Sequence, residues 1–340
     1  MGILFAYSVH MKAIIPVAGA GTKLRPITYT QPKPLIPVAG KPIIAFILDE
    51  LIRAGVHEFV FIIGYLGEKI KTYLDANYQH IEKNYVIQGE REGLGHAIYS
   101  CREFIADSDQ VVIQLGDSVI DIDFQVFLNS KYSTLGVSKV HDPRRFGVVE
   151  LNEKSFVKKL IEKPQIPISN LAIVGLYFIK EFKCLYNALD FNIKNGLKTR
   201  GEYHLTDGLM KMVEDGSRIE IMEVKNWFDC GQKENLLETN AIMLDRNFDS
   251  SSSIDIPGSI IIPPVSIGKN CQITHSIIGP NVTIGDDAKV DNAILKDAII
   301  GNFTILEDIV LQHSIIGSDA IVKGRYQSYN IGDNTEIDMV

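Results

Sequence analysis

Only four cysteines occur in the 340 residues (Cys101, Cys184, Cys230 and Cys271), scattered and without metal-type pairing. That usage implies free thiols in a reducing compartment. Long apolar runs are missing too, and none approaches the length that spans a bilayer. Residues 1–10 lack the basic start and cleavage site of a signal peptide. Because a first strand can begin at Met11-Lys12, they read as an N-terminal extension. There is also no excess of positive charge. A formal net charge of −8 argues against a nucleic-acid partner, so an anionic substrate must be drawn in by a local cluster of cations. These absences leave a soluble cytoplasmic protein with no membrane or nucleic-acid partner, long enough for two cores.

What is present is concentrated first in Ile14–Pro42, IIPVAGAGTKLRPITYTQPKPLIPVAGKP. The apolar run Met11–Val17 reads as a buried parallel strand. A small-residue turn, Ala18-Gly19-Ala20-Gly21-Thr22, follows it. Three cations (Lys23, Arg25, Lys33) then stand among five prolines (Pro26, Pro32, Pro34, Pro37, Pro42). Glycines let backbone N–H groups close on a phosphate, and cations neutralise it from the side. A phosphate-handling loop therefore sits where open α/β sheets bind ligands, at the carboxyl end of a first strand. It is not a dinucleotide fingerprint, which needs a third glycine near Leu24 and an uninterrupted helix. Nor is it a Walker A loop, because the positions around Gly40-Lys41 hold Leu35 and Pro42.

Downstream, Pro42–Ala54, Gly67–Leu74 and Gly93–Ile105 read as helices, and Glu58–Ile63, Tyr85–Ile87 and Val111–Leu115 as strands. This alternation marks a doubly wound, mostly parallel α/β sheet. From Thr134 the pattern becomes strand-rich. A hairpin is expected over Phe146–Leu151 and Phe156–Ile161, then a strand at Leu171–Ile179. Helices Phe182–Phe191, Leu205–Glu214 and Lys233–Arg246 follow, with a strand at Ile219–Val224. A polar linker, Asp249–Ser253, separates a catalytic domain over 1–248 from a second domain over 249–340. There Ile267-Gly268, Ile284-Gly285, Ile300-Gly301, Ile316-Gly317 and Ile331-Gly332 recur. Apolar residues return about every sixth position (Ile267, Ile273, Ile278, Ile284, Val290), the signature of a parallel β-helix.

The Ile14–Pro42 stretch resembles the signature of the sugar nucleotidyltransferases, roughly G-x-G-T-R-L-x-P-x-T followed by P-K-P-L-x-P-V, with Lys23 in place of Arg. The C-terminal repeats resemble the left-handed β-helix of several members. The resemblance implies attack of a sugar-1-phosphate, glucose-1-phosphate first, on the α-phosphorus of a nucleoside triphosphate, with Mg²⁺ as cofactor. Ala18, Gly19, Gly21 and Thr22 match the phosphate cradle, and Lys33 the second lysine of the signature. Asp117, after an apolar strand, and Asp229, in Trp-Phe-Asp-Cys-Gly, match the two metal carboxylates. In Glu162-Lys163-Pro164, Lys163 would hold the sugar phosphate and Glu162 the sugar hydroxyls. Gly147, Gly175 and Tyr177 match the sugar-cradling strands, and Arg200 a phosphate-binding arginine. Gln88 and Gly93 match the base pocket, where Gln88 suits uracil or thymine, hence UTP or dTTP. His96 reads as a packed helix position.

Two accounts of the cation substitution follow. Either Lys23 acts as a point charge, or Arg25, two positions on in an extended loop, points the same way and replaces it. Lys23 is the expected catalytic cation, because the signature places that position against the triphosphate. An alternative function, a catalytically weak homologue serving as a binding or regulatory subunit, rests on Lys23 alone. Acyl transfer by the β-helix is rejected, since the repeats are few and neither His275 nor His313 stands out. A prismatic β-helix also suggests a homo-oligomer.

Overall fold

The computed structural model describes residues 11–89, 92–107, 109–247 and 254–324. Glu90-Arg91, the serine linker, the Ile331-Gly332 repeat and the N-terminal extension lie outside the described residues. The chain divides into two compact units, Met1–Ile36 with Lys41–Leu236, and Pro37–Gly40 with Leu237–Val340.

In the first unit, strands β1 (Met11–Pro16), β2 (Glu58–Ile63), β3 (Glu82–Ile87) and β4 (Gln110–Gln114) are parallel in the order β4-β1-β2-β3. Ala13, Ile14 and Ile15 are fully buried, as a central parallel strand covered on both faces requires. Helices α1 (Ile43–Arg53), α2 (Gly67–Asn77) and α3 (Leu94–Tyr99) connect these strands. Ile44, Ile47, Leu48 and Leu51 of α1 form the buried stripe expected from their spacing.

Helix α3 ends earlier than its sequence suggests. Ser100 Oγ turns back to the His96 carbonyl, and the Cys101 amide takes the tighter bond to Ile98, so a 3₁₀ turn at Arg102–Phe104 replaces the last turns.

After a short strand β5 (Ser118–Asp121) and helix α4 (Phe124–Leu128), the sheet becomes mixed. Strands β6 (Ser133–Lys139), β7 (Gly147–Leu151), β8 (Val157–Glu162) and β9 (Leu171–Ile179) extend it, with β9 antiparallel to β4, β6 and β7. The β7–β8 hairpin forms as expected, and Asn152 Oδ1 accepts the amides of Lys154 and Phe156 at its turn. Helices α5 (Phe182–Lys194) and α6 (Leu205–Glu214) precede β10 (Ile219–Glu223) and β11 (Asn226–Asp229). Strand β10 pairs parallel with β6, and β11 pairs antiparallel with β5 in a separate two-stranded ladder.

The second unit is a short left-handed parallel β-helix. Its coils stack in register, with Ile278 over Leu295 and Ile284 over Ile300. The inward residues Ile273, Ile278, Ile284 and Val290 are buried, as their return at about every sixth position implies. Corners fall at residues of positive φ: Asn270, His275, Asn281, Asp287, Asn292, Asp297, Phe303, Asp308, His313 and Asp319. Asn and Asp tolerate that conformation best, which explains their recurrence. His275 and His313 are corner residues of the coil.

The division between compact units falls inside helix α7 (Lys233–Arg246), between Leu236 and Leu237. Asn240 of α7 is fully buried: its Oδ1 accepts from Thr283 Oγ1 and the Ala39 amide, and its Nδ2 donates to the Asn281 carbonyl. These bonds tie the latter part of α7 and the 37–40 segment to the coils. A linker read from composition alone misses them.

Candidate active site

The carboxyl ends of β1 and β4 and the inner face of the mixed half-sheet enclose one cavity of about 680 Å³. All of its lining residues belong to the first unit. Gly19, Gly21, Thr22, Lys23 and Lys33 of the first loop form one wall. Gly21 has φ 60, and a Cβ there would lie 2.9 Å from Thr28 Cγ2, so only glycine fits without a shift. Thr28 Oγ1 donates to the Gly21 carbonyl at 2.8 Å and locks the turn. Among the described residues, the Gly19, Ala20 and Gly21 amides donate to no backbone or side-chain acceptor, which leaves a row of N–H groups for an anion.

The loop does not stay extended past Thr22. Thr22–Leu24 is a 3₁₀ turn with three residues per revolution, so Lys23 and Arg25 do not share a direction. Lys23 lines the cavity, exposed and without an ion pair among the described residues. Arg25 is outside the lining and lies over the Tyr29 ring at 4.9 Å. The alternative assignment of Arg25 to catalysis is therefore corrected. Ala18 is corrected as well: it is absent from the lining, and its side chain packs in the core against Gly64.

The floor carries the two carboxylates. Asp117 follows β4 by a short turn, and Asp229 ends β11. The β5–β11 ladder sets Ser118 opposite Asp229, and the Cys230 amide donates to the Asp117 carbonyl at 3.1 Å. Residues far apart in sequence thus reach one cavity. Asp229 Oδ1 accepts the Gly231 amide at 3.0 Å, while Asp117 Oδ2 accepts Lys33 Nζ at 2.7 Å. No cluster of three or more His, Cys, Asp or Glu suited to a metal exists among the described residues. Two carboxylates without soft donors would suit a hard cation such as Mg²⁺.

Opposite the loop lie Gly147, Glu162, Lys163, Gly175 and Tyr177. Glu162 is held firmly: Oε2 accepts from Thr206 Oγ1 at 2.7 Å, and Oε1 lies 3.5 Å from Lys163 Nζ and 3.8 Å from His204 Nδ1. His204 Nε2 lies 3.1 Å from the Thr199 carbonyl, which fixes the proton on that nitrogen. Tyr177 both lines the cavity and belongs to the core. Burial, with Glu162 nearby, pushes its hydroxyl well above the ordinary tyrosine value.

Three expected contacts are placed differently. Arg200 is exposed, outside the cavity lining, and donates to the Lys163 carbonyl at 2.6 Å. Gln88 and Gly93 are also outside the lining, joined by a long contact of 3.5 Å from Gln88 Nε2 to the Gly93 carbonyl. At Gly93 (φ 107) a Cβ would meet the Tyr203 carbonyl at 2.5 Å, so this glycine answers to its own chain. His96 stacks on Tyr203 with centroids 6.4 Å apart and lies outside the lining, as a packed helix residue should.

Thr206 and His204 escaped the sequence reading. In sequence they read as the start of α6, and nothing in their spacing points to Glu162. Trp227 and Phe146, stacked edge to face at 4.8 Å, also line the cavity; they stand inside recognised motifs but have no assigned role there.

Comparison with known proteins identifies the family. The profile of the family described as Nucleotidyl transferase matches residues 12–246, and that of the GlmU-like C-terminal hexapeptide matches 248–302. The low-salt glycan biosynthesis nucleotidyltransferase Agl11 of Haloferax volcanii is 34% identical over 243 residues, 69% of this chain and 66% of that protein. A glucose-1-phosphate thymidylyltransferase of Streptomyces antibioticus is 28% identical over 343 residues, 96% of this chain and 93% of its own length. The solved structure of a putative glucose-1-phosphate thymidylyltransferase from Bacillus anthracis superposes with a TM-score of 0.60 at 28% identity, covering 71% of this chain and 98% of the other. With its glycine cradle, paired carboxylates and Glu-Lys step in one cavity, and with a profile match over most of its length, the chain belongs to the nucleotidyl transferase family.

Proposed function

We propose that the protein condenses a sugar-1-phosphate, glucose-1-phosphate first, with dTTP or UTP to give a nucleoside-diphosphate sugar and pyrophosphate. The observation that carries the reading is the convergence of Lys23, Lys33, Lys163, Asp117, Asp229 and Glu162 on one cavity. Two polyanions must meet there, so catalysis rests on placing positive charge and holding geometry, with little proton transfer.

The amides of Gly19–Gly21 and the Lys23 ammonium, without partners among the described residues, receive the triphosphate. From the opposite wall, Lys163 holds the sugar phosphate and Glu162, fixed by Thr206, accepts sugar hydroxyls. Asp117 and Asp229 would hold Mg²⁺, which supplies charge neutralisation at the α-phosphate. The 28% identity to a thymidylyltransferase along nearly the whole chain supports a thymine or uracil nucleotide.

The β-helix joins copies of the chain into a homo-oligomer. Supporting this, Ile260, Ile277, Ile294 and Val310 lie in register on one face of the coils, and Ile260, Ile294 and Val310 are 58%, 44% and 71% exposed.

Product analysis with each of dTTP, UTP, ATP, CTP and GTP against glucose-1-phosphate and its analogues tests the reading. A pyrimidine sugar nucleotide whose formation requires Mg²⁺ and falls by orders of magnitude in Asp117→Asn and Asp229→Asn is expected. No product from any pair, or undiminished turnover in both variants, overturns it.

A further inference from the structure

The side chain of Lys33 ends in an amine, yet the residue is only 8% exposed. An ammonium in such a place needs a counter-charge. Among the described residues its single ion-pair partner is Asp117 Oδ2 at 2.7 Å. The backbone that carries the lysine is held in place. Its backbone lies in a 3₁₀ turn between Pro32 and Pro34, closed by the bonds Leu35 N–H to Pro32 and Ile36 N–H to Lys33. A Cβ on Gly21 would lie only 3.3 Å from Lys33 Cβ, so the stem is packed as well. One carboxylate oxygen of Asp117 is therefore already paired with a cation of the chain.

We infer that Lys33 is the resident counter-ion of Asp117, so that divalent cation and triphosphate bind strongly only together. This rests on the proposed assignment of Asp117 and Asp229 to a divalent cation. A cation arriving alone at Asp117 meets the ammonium of Lys33 already seated on Oδ2 and is repelled by it. A triphosphate arriving alone must draw Lys33 off Asp117 and leave a bare carboxylate beside its own negative charge. When both arrive, the cation takes Asp117 and Lys33 takes phosphate oxygens, so every charge keeps a partner. Linkage makes the effect reciprocal: whatever the nucleotide gains from the metal, the metal gains from the nucleotide. Lys33 thus acts before chemistry, by ordering assembly of the site, in addition to contacting the triphosphate.

The test titrates Mn²⁺ alone, read by the loss of its free electron-paramagnetic signal, into the full-length wild type, Lys33→Gln, Lys33→Met and Lys33→Arg. The neutral variants remove the competitor and are expected to bind Mn²⁺ about tenfold more tightly or better, while Lys33→Arg stays within about threefold of wild type. Neutral variants that bind Mn²⁺ no better than wild type overturn the inference. So does a Lys33→Arg variant that behaves like Lys33→Gln. Should both neutral variants fail to fold by circular dichroism, calorimetry on the wild type decides. Affinity for dTTP or UTP is expected to fall about tenfold or more when Mg²⁺ is replaced by EDTA, and equal affinities overturn the inference. The titrations contain no sugar phosphate, so they read the coupling whether or not the wild type forms a nucleoside-diphosphate sugar. Absence of that product would overturn the functional reading separately.

Discussion

Two glycines of the first loop, two positions apart, are expected to fail in opposite ways when replaced by alanine. Gly21 sits at φ 60, where a Cβ would approach Thr28 Cγ2 to 2.9 Å and Lys33 Cβ to 3.3 Å. The left-handed conformation costs a non-glycine residue about 1–2 kcal/mol. Displacing Thr28, which is buried and bonded to the Gly21 carbonyl, adds on the order of 1 kcal/mol, for a total of roughly 2–3 kcal/mol. Gly19 has no positive φ and nothing within 4 Å of its would-be Cβ. Gly19→Ala should leave stability unchanged or raise it by about 0.4–1 kcal/mol through the unfolded chain. Its methyl group, however, projects beside the amides that face the cavity, where it should weaken nucleotide binding about tenfold or more, the equivalent of roughly 1.4 kcal/mol. Urea unfolding followed through Trp227, the single tryptophan, measures the first effect, and calorimetric titration of dTTP or UTP the second. A Gly21→Ala protein as stable as wild type, or a Gly19→Ala protein with undiminished nucleotide affinity, would refute the reasoning.

Lys23→Ala should lower kcat/KM about a hundredfold while Lys23→Arg retains activity and Arg25→Ala costs much less; loss of turnover in Arg25→Ala alone would reverse the two roles. Asp207 is half-buried, with its Oδ2 enclosed and unpartnered among the described residues, and burial, with Glu162 adding, lifts its carboxyl above the ordinary 3.8. The folded state therefore holds that proton more tightly than the unfolded one. This contribution to stability is full below the ordinary value and is lost as pH rises through the folded one. Thermal melts of Asp207→Asn should stay flatter than wild type as pH rises from about 4 to 7, and parallel curves would refute the assignment. On the β-helix, Ile294→Glu with Val310→Glu should lower the mass seen by light scattering without touching the nucleotide cavity, and an unchanged mass would exclude that face as the contact.

The sequence by itself determined the elements and marked many of the residues that line the cavity. Its apolar runs placed β1, β2, β4 and β9 within a residue or so of their observed ends, because buried parallel strands and helix stripes leave periodic marks. The return of Ile273, Ile278, Ile284 and Val290 at about every sixth position marked the β-helix for the same reason. The Lys, Asp and Glu residues of the cavity were legible because they sit in contiguous motifs.

Tertiary structure decided what depends on direction. Lys23 faces the cavity and Arg25 does not, since a 3₁₀ turn replaces the extended loop. Arg200 reaches the Lys163 carbonyl instead of the cavity, and Gly93 makes room for Tyr203. Thr206 and His204 come to Glu162 only because α6 packs against β8, a contact that leaves no trace in local spacing. The unit boundary inside α7 likewise hangs on the hydrogen bonds of one buried asparagine, Asn240. Periodicity records which residues are buried. Which groups meet is set by the turns and crossovers that carry them, and those are fixed only when the whole chain has packed.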